Sequence, residues 1–205
     1  MDGARKYDFV KKLKSSDLEA FTSLWKLATG GNQKAYRLIV EEYFWQLFNY
    51  GLKYSRDEAL LKDTVQDLFV YIWEKRATLA TEVNIKAYLF SSFRRMLHRK
   101  LNPQIRMVDF KDATYLENKF DLSAYVDERL IKTEQARQLS LQVTALLNGL
   151  PLRQKEVVYL KFFHNMSRDE IASILNIAPQ TVSNILQMAL KNLRCNLPGD
   201  VRNIV

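Results

Sequence analysis

The sequence predicts an all-α protein: two small helical domains joined by a linker, the C-terminal one containing a helix-turn-helix. Three observations carry this. Four prolines and six glycines in 205 residues are few for a chain of many strands and tight turns. Apolar residues recur at helical spacing in one stretch after another. Ser167–Arg194, SRDEIASILNIAPQTVSNILQMALKNLR, reads as two helices across a tight turn.

That last stretch is the most explicit. Ser167 and Glu170 form a capping box, each side chain satisfying an orphan backbone donor. Ile171, Ala172, Ile174 and Leu175 make a helical apolar face, and Asn176 tolerates the left-handed conformation that ends a helix. Ile177 plugs the gap between the helices, and Pro179 suits a first helical position, where its missing N–H costs nothing. Val182, Ile185, Leu186, Ala189, Leu190 and Leu193 continue the buried stripe. With polar residues outward, this is the form of a helix-turn-helix DNA reader, although an ordinary helical hairpin shares the outline.

The length allows one or two domains. No apolar run reaches the roughly 18 residues of a membrane span, and no signal-peptide apolar core follows the charged N-terminus. A single cysteine, Cys195, fits a reducing cytoplasm, and with two histidines it leaves no zinc cluster. The net charge of +8 divides into +6 up to Leu101, −1 over residues 102–133 and +3 beyond. Two basic ends around an acidic middle fit a nucleic-acid binder with two contact regions, a pattern also found in proteins that bind none.

Residues 1–17 read as a basic tail (Arg5, Lys6, Lys11, Lys12, Lys14), and residues 18–102 as an N-terminal helical domain. Leu18, Phe21, Leu24, Trp25 and Leu27 pattern a first helix that Gly30 and Gly31 break. A second, from Gln33 to about Tyr54, is rich in aromatics (Tyr36, Tyr43, Phe44, Phe48), as a packed core requires. The third, Asp57 to about Lys75, sets a core stripe of Leu61, Val65, Leu68 and Ile72 against a face of Asp63, Gln66, Asp67, Val70 and Glu74. Such a face is either simply solvated or a docking surface for a partner helix.

The fourth helix starts near Ile85 and ends before Pro103. Lys86, Arg94, Arg95, His98, Arg99 and Lys100 stand among Tyr88, Phe90 and Phe93, which suits a strand whose phosphates are gripped and whose bases stack. A basic helix end also complements the helix dipole. Residues 103–133 lack periodicity and read as a linker. The C-terminal domain, 134–205, brings one helix to Asn148–Gly149 and another from Leu150-Pro151 into the helix-turn-helix. There is no glycine-rich phosphate loop, nucleophile elbow or His-Glu-x-x-His pair, and no carboxylate reads as an acid or base tuned by an apolar setting. The reading is a non-enzyme without cofactor or metal.

Taken in order, GNQKAYRLIVEEYFWQLFNYGLKY, DTVQDLFVYIWEKR and LNGLPLRQKEVVYLKFFHNMSRDEIASILNIAPQTVSNILQMALKNLR resemble an extracytoplasmic-function (ECF, group IV) sigma factor of bacterial RNA polymerase, of the type common in Bacteroidetes. The resemblance covers roughly Leu18 to Arg194. The second passage is close to the family's D-x-V-Q-E-x-F-x-x-x-W. It implies a factor that binds core polymerase and directs it to promoter DNA. Asp63, Gln66, Asp67, Val70 and Glu74 would dock on the clamp helices, with the flap as a further polymerase contact. Lys86, Tyr88, Arg94, Arg95, His98, Arg99 and Lys100 would engage the −10 element, and the linker would thread the polymerase cleft. Arg168, Gln180, Thr181, Ser183, Asn184, Gln187 and Lys191 would serve the −35 element. Family members often have an anti-sigma partner.

Two departures stand out. Where the family often has Arg-Asn followed by Asp or Asn, this chain has Arg94, Arg95 and Arg99, and a guanidinium cannot accept a hydrogen bond. No basic residue occurs from Pro179 through Leu190, so the Arg contact to guanine is missing and adenine pairing by Gln and Asn remains. The expectation is weak autonomous −35 binding helped by a separate DNA-targeting partner. A stand-alone helix-turn-helix regulator is the alternative, and it leaves the third and fourth helices without a task. An RNA-binding adaptor is weaker still, for want of an RNA-module signature.

Overall fold

The computed structural model describes residues 16–103, 120–122 and 134–196. These form eight α-helices and one 3-10 turn, with no strand among the described residues. The helices are α1 (Ser16–Thr29), α2 (Gln33–Gly51), α3 (Glu58–Lys75), α4 (Ile85–Leu101), α5 (Glu134–Asn148), α6 (Leu152–Phe162), α7 (Arg168–Leu175) and α8 (Pro179–Asn196), with the 3-10 turn at Arg76–Thr78 after α3. Most of the basic tail, residues 1–15, and most of the linker, 104–119 and 123–133, lie outside the described residues.

Helix starts follow local chemistry. Asn32, Asp57 and Asn84 cap α2, α3 and α4, each side-chain oxygen accepting the N–H three residues on, at 3.1, 3.0 and 3.0 Å. The capping box at α7 is complete, Ser167 Oγ accepting from Glu170 N at 3.2 Å and Glu170 Oε2 accepting from Ser167 N at 2.6 Å. Asn176 ends α7 at φ 53°, and Pro179 is the first residue of α8. Helix α2 stops at Gly51 instead of Tyr54, because Lys53 and Tyr54 turn their N–H groups back onto Tyr50 and Gly51.

Most of the core is one continuous cluster running from Trp25 in α1 to Ile185 in α8, so the two halves share a buried interior, and Leu150, Val158 and Ala189 form a small second cluster. Helix α4 is its centre, packed on α3 and α2 from one side and on α7 from the other. Trp25 fixes α1 by donating Nε1–H to Ala80 O at 2.9 Å. Three linker residues join this interior. Phe120 and Leu122 are buried, Asp121 N donates to Lys53 O at 2.8 Å, and Leu122 N donates to Asn148 Oδ1 at 2.9 Å. Two stripe assignments are corrected. Leu27 is 52% and Leu190 40% exposed, since Leu27 falls one position before the buried Ala28 and Leu190 one past the buried Ala189, off the inward-facing rows.

Gly51 sits where α2 meets α3 and α4. A Cβ there would lie 2.7 Å from Leu61 Cδ2 and 3.0 Å from Phe93 Cζ. Gly51→Ala is therefore expected to cost about 1–3 kcal/mol by overpacking, despite alanine's better helix propensity, which chemical denaturation will read directly.

Candidate polymerase and nucleic-acid interfaces

The acidic-amide face of α3 is a continuous stripe in the structure. Asp63, Gln66, Asp67, Val70 and Glu74 are all exposed, at the successive offsets that keep residues on one side of a helix. Their opposite face, Leu61, Val65, Leu68 and Ile72, is completely buried. Val70 is 57% exposed and its neighbour Tyr71 49%, so the stripe has an apolar centre with carboxylates around it. Tyr71 was not singled out by the sequence reading. Phe69, next to Val70 in the chain, is buried, with its carbonyl accepting from Tyr36 Oη.

The basic residues of α4 do not share one surface. Arg95 and Arg99 are exposed, Arg95 bonding Ser92 Oγ at 3.1 Å. Lys100 reaches across to Asp67 at 2.6 Å, linking the basic cluster to the α3 stripe. Tyr88 is half-buried with its ring 5.7 Å from Trp25. His98 is half-buried, and burial followed by the nearby Arg94 charge lowers its pKa. Lys86 and Arg94 face the C-terminal half. Lys86 Nζ donates to the His164 carbonyl.

Arg94 is 14% exposed and bidentate to Glu156 of α6, Nε to Oε1 at 2.9 Å and Nη2 to Oε2 at 3.3 Å. Glu156 is 1% exposed and also accepts Tyr50 Oη at 2.6 Å and Tyr54 Oη. Burial alone would raise the Glu156 carboxyl. The Arg94 charge and the hydrogen bonds from Arg94, Tyr50 and Tyr54 outweigh it and hold the group below the usual carboxylate range. The sequence reading missed this buried carboxylate, which Arg94 and the two tyrosines hold ionised. Its signal was present in LPLRQKEVVYLKFF, where Glu156 falls in register with Leu152, Leu160 and Phe163.

On α8, Gln180, Asn184, Gln187 and Lys191 form an exposed stripe, with Thr181 and Ser183 partly covered beside it. Gln180 Nε2 donates to Asn184 Oδ1 at 3.2 Å, which orients both amides before any ligand arrives. Arg168 opens α7, exposed and 3.5 Å from Asp169. Val182, Ile185 and Ala189 bury the opposite face against α6 and α7. Such a helix can lie in a major groove, with uncharged donors and acceptors outward and cations at its edges. None of the described helices is long and apolar enough to cross a membrane.

Residues 140–193, which take in most of α5 and nearly all of α8, match the family profile described as Sigma-70, region 4. The chain is 26% identical over 179 residues to the RNA polymerase sigma factor CnrH of Cupriavidus metallidurans, covering 84% of this chain and 92% of that protein. It is 24% identical over 162 residues to the ECF RNA polymerase sigma factor SigL of Mycobacterium tuberculosis, covering 78% and 88%. Its fold is similar to that of CnrH solved in complex with the cytosolic domain of CnrY, with a TM-score of 0.58 at 22% identity over 86% of this chain and 96% of that one. A region 4 match at the C-terminal end, preceded by helices that align with such factors along nearly their whole length, supports an RNA polymerase sigma factor similar to those of the extracytoplasmic-function kind.

Proposed function

We propose that the chain acts in the cytoplasm as a group IV sigma factor of the Bacteroidetes-like type, itself no enzyme, that binds core RNA polymerase and carries it to promoters. In this reading residues 18–102 serve the polymerase and the −10 element, 103–133 form the linker, and 134–205 serve the −35 element. The observation that carries it is the α3 stripe. An acidic-amide face with Val70 exposed at its centre is more than a solvated surface needs, and it suits a helical partner with basic and apolar residues. On α4, Arg95, His98, Arg99 and Lys100 with Tyr88 would grip the −10 strand, joined by Lys86 and Arg94. On α7 and α8, Arg168 and Lys191 would hold phosphates while Gln180, Thr181, Ser183, Asn184 and Gln187 meet base edges. The complex of the similar CnrH with the cytosolic domain of CnrY supports a protein partner here as well, one of the anti-sigma kind in this reading.

Copurification with core polymerase followed by promoter-dependent transcription in vitro tests this. Asp67→Arg is expected to weaken core binding about tenfold or more by reversing a charge inside the stripe. A chain that ignores core and binds operator duplexes alone would be a stand-alone regulator. The cation-poor face of α8 also supports weak autonomous −35 recognition, aided by a separate DNA-targeting partner. Tight sequence-specific binding of the free full chain to −35 duplexes at physiological salt would refute that part.

A further inference from the structure

Three polar clasps hold α4 against the C-terminal half. Glu156 takes both ends of the Arg94 fork. The His164 carbonyl takes Lys86 Nζ. Asn84, whose Oδ1 already caps α4, donates Nδ2–H to Glu170 Oε1 at 2.8 Å. Glu170 is itself the capping-box residue of α7, so one carboxylate ties the start of α4 to the start of the helix-turn-helix. Phe90 of α4 packs its ring 4.9 Å from that of His164 in the same seam.

The chemistry of these contacts resembles that of DNA. A carboxylate with two oxygens on a guanidinium is the protein counterpart of a phosphate on the same group, and both bind the fork in parallel. Arg94 cannot receive a phosphate while Glu156 fills its fork, and little solvent reaches it. We propose that the C-terminal half inhibits the −10 helix in cis: Glu156 occupies the phosphate position on Arg94, the seam sequesters Lys86, and the chain opens between α4 and α6–α7 before α4 takes DNA.

This rests on the assignment of α4 to the −10 strand, and the experiment separates the two. The full chain is labelled at exposed Cys195 and at a cysteine replacing exposed Arg37, so that energy transfer reports on the seam. The ligand is a fluorescent mixed-sequence single-stranded DNA. Glu156→Gln is expected to lower the transfer and to tighten binding about tenfold at physiological salt. Its salt slope should steepen by about 0.7 for each phosphate gained. Adding Arg94→Gln should remove most of that gain while transfer stays low. In a Cys195→Ser background, an Asn84→Cys, Glu170→Cys disulfide should weaken DNA binding until reductant is added. This pair decides the matter if Glu156→Gln does not fold.

Unchanged transfer in a folded Glu156→Gln chain, or equal DNA binding by the oxidised and reduced pair, overturns the clasp and leaves the α4 assignment standing. A fall in transfer with no gain in DNA binding overturns the assignment, and the inhibition with it.

Discussion

Glu156→Ala is expected to destabilise the closed arrangement by about 3–5 kcal/mol. The reason is the partner left behind. Arg94 stays charged at 14% exposure with no counter-ion, and Tyr50 and Tyr54 lose the acceptor they share. The two hydroxyls lie 3.0 Å apart, so one can donate to the other and only one donor is orphaned. Arg94→Met alone should cost about as much, since Glu156 would then be the uncompensated charge. The double variant Arg94→Met, Glu156→Leu is the informative one. It removes both charges and their desolvation cost, leaving a single orphaned hydroxyl worth about 1–3 kcal/mol. A double-mutant cycle in urea should thus show the pair far less damaging than the sum of its singles. Strict additivity would mean that the two side chains are not coupled in solution.

The same cycle explains which parts of the fold could be read in advance. The helix-turn-helix was legible because its instructions are local. Ser167 and Glu170 are three residues apart, and Asn176 and Pro179 mark the turn by backbone preference alone. The α3 stripe was legible because periodicity separates its two faces, and Val70 stood out as apolar on the polar side. The seam was not legible. Arg94 and Glu156 are 62 positions apart, and nothing in either neighbourhood says that the chain returns. Arg94 therefore read as one more cation on a basic helix. Its bidentate partner could be suspected only from a charge sitting in an apolar register. Phe120 and Leu122 failed for a related reason, because two isolated apolar residues make no period and yet plug the junction of α2, α5 and α6.

Acidification should open the same seam. His164 feels the charges of Lys86 and Lys53, its ring is 4.9 Å from both Phe90 and Tyr159, and its Nε2 is buried without a hydrogen-bond partner among the described residues. Burial, then the charges of Lys86 and Lys53, push its pKa down from 6.5 to about 3. The unfolded or opened chain consequently binds a proton that the closed one refuses. Stability is full above pH 6.5 and declines as pH falls toward 3, at up to about 1.4 kcal/mol per pH unit. Between pH 8 and pH 5 the loss is about 2 kcal/mol. His98, the chain's other histidine, is lowered in the same direction and adds to it. Glu156, held below 4.5, contributes only at lower pH, and Lys53, lowered to about 8, titrates on the alkaline side. His164→Leu should therefore flatten most of the dependence between pH 8 and pH 5, and His98→Gln a smaller part. The further loss at lower pH that belongs to Glu156 should survive in both. An unaltered profile in His164→Leu would show that the ring reaches water or a partner in solution, and that the seam is open at that point.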